Sequence, residues 1–133
     1  MITKYLEKLL NAPSEFTPPP VEVQRHVFQK KVWYVDNLIA LAQTMPAFEK
    51  PITELRAVIL ESAFPGMGNW TYAELAYHTR VAIKADLQYP ILLGEDGRVL
   101  DGHHRLLKAL IDGHPTIKAV QFVIDPEPDE YLD

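Results

Sequence analysis

Asp101-Gly102-His103-His104-Arg105 is the segment of this chain whose residue types and spacing point most directly to chemistry. If a helix opens at His103, with Leu106, Leu107, Leu110 and Ile111 as its apolar stripe, its first backbone N–H groups and the positive end of its dipole face whatever lies in front of it. Such an end binds anions where the backbone can be approached closely, and Gly102 has no side chain to obstruct that approach. His103, His104 and Arg105 add up to three donors in a first turn that disfavours positive charge unless an anion offsets it. Stability alone would place Asp or Glu there. The segment is therefore read as an anion-binding site, with phosphate as the first ligand to test.

The individual roles stay open at this level. His103 lies one turn before Leu106 and Leu107, so it is either a core histidine or a ligand contact. Arg105 shares a face with Lys108 and Asp112, where a surface ion pair is the plain alternative, and His104 sits between the two faces. Asp101 either caps the helix or holds a divalent cation bridging phosphates, since magnesium commonly takes one or two carboxylates plus phosphate oxygens. A zinc reading from Asp101, His103 and His104 lacks the i,i+4 pair that helical zinc sites use. The Gly-rich nucleotide loops GxGxxG and GxxxxGK[ST] are absent. His78 and Arg80 are read as surface positions, and Tyr89 as a packing residue.

Several elements must position this segment. Ile91-Leu92-Leu93 is a short apolar run of the buried-strand kind, Asp96-Gly97 supplies a hairpin turn, and Arg98-Val99-Leu100 returns. The helix from His103 is stopped by Gly113 and Pro115, and residues 117–124 read as a last strand buried on both faces. Upstream, Thr71-Tyr72-Ala73-Glu74 matches a capping box opening a helix to about Asp86. Residues 21–35 suggest one or two strands, and Asp36 is placed to cap a helix ending before Pro46. Residues 52–60 are open between strand and short helix, and Pro65-Gly66-Met67-Gly68-Asn69 is a loop. Residues 1–20 read as a short helix striped by Ile2, Tyr5, Leu6, Leu9 and Leu10, then a proline-rich linker; 21–124 is the domain, and 125–133 a peripheral acidic tail. The helix stripe fits docking on its own domain, a homodimer contact or a protein partner.

Composition narrows the function classes. At 133 residues and 47% hydrophobic content, one domain with a modest core is expected. With no cysteine, disulfides, thiolate metal sites and cysteine nucleophiles are excluded within this chain. A net charge of -5 disfavours nucleic-acid binding, and Arg25, His26, Lys30 and Lys31 make only a weak basic patch. No apolar run approaches the length of a membrane span and no leader pattern opens the chain, so no membrane partner and a cytoplasmic location are expected.

Tyr89-Pro90-Ile91-Leu92-Leu93, the Asp96-Gly97 turn and Val99-Leu100-Asp101-Gly102-His103-His104-Arg105, followed by Ala109 and Gly113, resemble the ParB/sulfiredoxin superfamily, whose Pro-Ile strand leads through a hairpin to a Gly-x-x-Arg segment opening a helix. The resemblance spans roughly residues 51–124, with Pro51-Ile52-Thr53-Glu54-Leu55 as the family's opening strand. It implies a small α+β domain with a mixed sheet and flanking helices, whose Gly102, His103, His104 and Arg105 hold nucleotide phosphates with Mg2+ and ATP, ADP or CTP. The spelling is closest to the free serine kinase branch, which implies a carboxylate base; Glu61 and Glu74 are the candidates, with Asp101 on the metal, although capping is the commoner job for Glu74.

Sulfiredoxin chemistry needs a cysteine that is missing, and only nine residues follow Ile124, where partition proteins carry a DNA-reading helix-turn-helix. The expectation is thus a nucleotide- or phosphate-binding ParB-like domain, either a Mg-dependent phosphotransferase or nucleotide hydrolase, or a non-catalytic nucleotide-responsive binding module. A DNA-associated ParB-like protein is a further alternative.

Overall fold

The computed structural model of the chain describes residues 24–60 and 70–133. The expected amino-terminal helix, the proline linker, Glu61 and the loop at 65–69 lie outside those residues.

Along the described chain run β1 (Arg25–Phe28), β2 (Lys31–Tyr34), α1 (Val35–Ala42), β3 (Phe48–Pro51), a 3-10 turn (Ile52–Leu55), α2 (Arg56–Ile59), α3 (Tyr72–Ile83), β4 (Ile91–Leu93), β5 (Val99–Asp101), α4 (His103–Asp112), β6 (Thr116–Gln121) and β7 (Glu130–Tyr131). The central sheet has the order β3-β6-β4-β5. β6 is antiparallel to β3 and parallel to β4, and β4 is antiparallel to β5, so the sheet is mixed and the protein is of the α+β class.

The apolar runs become strands because both faces of this sheet are covered. Ile91, Leu93, Val99, Ile117 and Ala119 form one core with Leu55, Leu106 and Ala109. Leu92, Leu100, Val120 and Phe122 form a second core with Trp33, Leu38 and Ala42. Alternate residues of a strand point to opposite faces, so Ile-Leu-Leu can feed two cores at once. Helix α4 meets the sheet through Leu106 and Ala109 rather than through the whole predicted stripe. Leu110 and Ile111 are exposed, because the small Ala109 lets the helix rest on that face. The last strand also ends early, at Gln121, leaving Val123 and Ile124 in solvent.

Residues 52–60 resolve as the 3-10 turn and the single turn of α2, and the sheet's outer strand is β3, ahead of the expected 51–55. Helix α1 starts at Val35, and Asp36 lies in its first turn without capping it. The helix start is instead tied to a residue far along the chain: Asp129 accepts the Tyr34 N–H at 2.7 Å and the Asn37 side-chain N–H at 2.8 Å. Helix α3 ends at Ile83, earlier than expected, because the Asp86 carboxylate accepts the Gln88 N–H at 2.9 Å and starts a turn there.

The acidic tail is not peripheral. β7 pairs with β2 to complete a second, antiparallel sheet, β1-β2-β7; Trp33 Nε1 donates to the Pro126 carbonyl at 2.7 Å, and the Tyr34 hydroxyl donates to Glu130. Arg98 ties this sheet to the β4–β5 turn. Its guanidinium lies 4.0 Å over the Phe28 ring, pairs with Asp96 at 2.7 Å and Asp125 at 3.4 Å, and donates from Nε to His26 Nε2 at 3.3 Å.

The β1–β2 turn carries backbone strain. Gln29 and Lys30 have φ of 51° and 63°, the left-handed conformation that a two-residue hairpin turn of the primed type requires at both positions and that Asn-Gly adopts cheaply. Lys30→Gly is therefore expected to stabilise the protein by about 0.5–1 kcal/mol, as a rise in the urea midpoint.

Candidate functional site

The end of β5, the start of α4, the loop after α3 and the edge strand β1 surround a cleft of about 860 Å³. Asp101, Gly102, His103, His104 and Arg105 form one wall, Lys84, Asp86 and Tyr89 a second, and Gln24, Arg25 and His26 a third. The predicted segment thus opens onto a cavity, in company that the sequence did not indicate.

Gly102 occupies the helix N-cap position at φ 104°. A β-carbon there would lie 2.6 Å from Ile91 Cγ2 and 3.1 Å from the Ile91 backbone, so Gly102 is required by the close passage of β4 as well as by its own left-handed conformation. Asp101 consequently belongs to the strand and is not the cap. The Leu106 N–H is the first to bond back within the helix, onto the Gly102 carbonyl at 2.9 Å, so the helix start faces the cleft.

Arg105 is placed differently from the solvent face expected for it. Nη2 donates to Asp101 at 2.9 Å and Nη1 to the Pro90 carbonyl at 3.0 Å, with both side chains of the ion pair about four-fifths buried. The residue that pairs with Asp112 is Lys108, at 3.6 Å, while also donating to the Ile83 carbonyl at 2.9 Å. Arg105 therefore clamps the helix start to Pro90, the residue that leads into β4, and Asp101 is its partner.

His78 is half-buried, not a surface residue, and its Nδ1 lies 2.8 Å from His104 Nε2, with the two rings edge to edge, their centroids 5.1 Å apart and their planes inclined by 22°. Trp70 and Tyr77 pack on the His78 ring. Burial pushes His104 down to about 4, with the neighbouring His78 and His103 adding to the effect. Burial lowers His78 as well, against the opposing charge of Glu74, and lowers His103 against that of Asp101. His103 stands between the cleft and a second groove formed with Val58, Ile59, Leu106 and Leu110.

Glu74 donates its backbone N–H to the Thr71 hydroxyl at 3.1 Å, the threonine arm of the expected capping box, and does not line the cleft. Arg80 is half-buried on the same helix. Tyr89 is 64% exposed and borders the cleft, so it is not packed.

Sequence reasoning passed over Arg25, His26, Lys84 and Asp86. The first two were read only as part of a weak basic patch, and nothing in the local pattern marks Lys84. Only the chain path brings them opposite His104.

The site residues do not by themselves make a magnesium site. One oxygen of Asp101 is taken by Arg105, and among the described residues no group of three His, Asp or Glu side chains converges to hold a metal ion.

Buried neutral histidines make the fold sensitive to acid. His26 is 7% exposed and is pushed down to about 4, by burial first and then by Arg98 and His103. A folded value below the ordinary 6.5 means that the unfolded chain binds the proton more readily, so the stability contributed is complete above about pH 6.5 and is lost as pH falls toward 4. For His26 alone this amounts to about 2 kcal/mol between pH 7 and pH 4.5, and His104 acts in the same direction. Urea midpoints measured across that range should fall steeply in the native protein and less steeply in His26→Gln.

Comparison of the chain with protein-family models, with curated proteins and with solved structures finds no match. Among the described residues no helix is long and apolar enough to cross a membrane.

Proposed function

We propose that this protein is a nucleotide- or phosphate-binding domain of the ParB-like kind, holding the ligand's phosphates at the start of α4 with Gly102, His103 and His104. The observation that carries the reading is Gly102, which is left-handed and pressed against Ile91, at the start of a helix that opens with two histidines into a cavity of about 860 Å³. That volume suits a nucleotide-sized ligand. Arg25 and Lys84 on the other walls add cationic charge to the cleft. Any magnesium would arrive on the ligand's own phosphates.

Within this reading, turnover as a phosphotransferase or nucleotide hydrolase needs a base at the cleft. Glu74 does not line it, Asp86 and Asp101 do, and Glu61 lies outside the described residues, so the reading is one of binding, with turnover decided by assay.

A thermal-shift panel of ATP, ADP, CTP, GTP and inorganic phosphate, each with and without magnesium, tests the reading, because a ligand that binds only the folded state raises the melting temperature. A nucleotide-dependent shift that Lys84→Glu or Arg25→Glu abolishes supports it. No shift with any of the panel overturns it. Release of phosphate from the nucleotide that binds would move the conclusion to the enzyme.

A further inference from the structure

The contact between His78 Nδ1 and His104 Nε2, at 2.8 Å, admits one hydrogen between the two nitrogens. With both rings neutral, that hydrogen is the N–H of one ring, and the contact is satisfied. One further proton leaves it satisfied, since an imidazolium N–H donates to the neutral partner in the same geometry. A second would set two N–H groups head to head. The pair therefore has room for one added proton and no more.

The pair's location decides when that proton is taken. His104 lies in the first turn of α4, where the positive end of the helix dipole opposes a cation. Burial acts in the same sense, as do His103 and Arg105 on the same helix; Glu74 on α3 and Asp101 at the end of β5 act against it. Across the cleft Arg25 and Lys84 oppose a cation and Asp86 favours one, and with burial these groups hold the pair's proton affinity below that of a free imidazole. An anion placed against the same helix start reverses the sign of the local field, and an imidazolium beside it then gains a charge-assisted hydrogen bond.

We propose that anion binding in this cleft is proton-linked through His78 and His104, which together take up one proton as the ligand's phosphate settles at the start of α4, so that the site binds more tightly as pH falls. This rests on the phosphate-binding reading of the cleft and adds to it a regulation of the same site. Linkage makes the effect reciprocal: the ligand raises the proton affinity of the pair by the factor by which the proton raises the ligand's affinity. His78 acts here through His104 and is a positioning residue.

The test is calorimetric titration with ATP and with CTP at about pH 6 and about pH 7.5, each in two buffers of different ionisation heat, which gives the number of protons taken up on binding. The native protein is compared with His78→Asn and with His104→Gln. Each substitution keeps a polar atom where the contacting ring nitrogen stood and removes the titration. The protonation of the nucleotide itself is common to all three proteins and cancels in the difference. Melting curves establish that the variants are folded, and either variant alone suffices.

We expect the native protein to take up more protons than the variants by an amount between zero and one, with its affinity rising more steeply toward low pH, to a limit of about tenfold per pH unit. Equal proton uptake in the native and variant proteins would overturn the linkage while leaving the cleft a nucleotide site. Absence of binding at either pH would bring down the nucleotide reading itself, and the linkage with it.

Discussion

Gly102→Ala is expected to cost about 2–5 kcal/mol of folding stability, the sum of a left-handed alanine and a methyl group forced into Ile91. The new β-carbon would stand 2.6 Å from Ile91 Cγ2 and 3.1 Å from the Ile91 backbone, and the backbone contact cannot be relieved by a change of rotamer. Ile91 is fully buried in the core between the sheet and α4, so β4 or the helix must move. Urea unfolding measures the loss. A cost near zero would mean that the helix start can shift freely, and the close passage of β4 would not be what demands the glycine. Because the same residue opens the cleft, the substitution should also weaken nucleotide binding. Comparison with Gly113→Ala, which is left-handed but open on all sides, separates strain from crowding: that change should cost only about 1 kcal/mol.

Arg105→Ala should cost about 1–3 kcal/mol, since it strips the partner from a carboxylate that is four-fifths buried and leaves the Pro90 carbonyl without its donor. Arg105→Lys should recover only part of this, because one ammonium cannot reproduce the two-armed bridge from Asp101 to Pro90. The measurement is the urea midpoint without ligand. An unchanged midpoint for the alanine variant would show that the bridge contributes nothing and return Arg105 to the role of a ligand contact. If the loss appears, weak ligand binding by this variant reports a loosened helix start, and Lys84 and Arg25 become the better probes of direct charge contact.

Much of the site's frame was legible in the sequence. The hairpin at Asp96-Gly97, the helix from His103 to Asp112 and the capping threonine at 71 all depend on turn, cap and periodicity signals contained within a few residues. The same local signals left the ion-pair partner of Arg105 open between Asp112 and a neighbour. Helical spacing brings Asp112 within reach of Lys108 and leaves Asp101, four residues before Arg105, as an equally good geometric neighbour. Burial of the strand end selected Asp101. Likewise, the expected surface position of His78 followed from its helix alone, and the packing of α3 against α4 placed it on His104.

The sequence by itself determined the order of the central elements and the glycine-led helix start with its two histidines, because each of these is written in residues adjacent along the chain, while the α+β class was what the resemblance implied. Tertiary structure alone decided that Asp129 holds the start of α1, that Arg98 joins the two sheets, that Arg25 and Lys84 face the helix across a cleft, and that two histidines from different helices share a hydrogen. The hydrogen bonds among these join residues 26 to 95 positions apart, and no local pattern encodes which distant side chain will meet a given polar group. That choice is made when both faces of the sheet are buried and the remaining polar groups must find partners within reach.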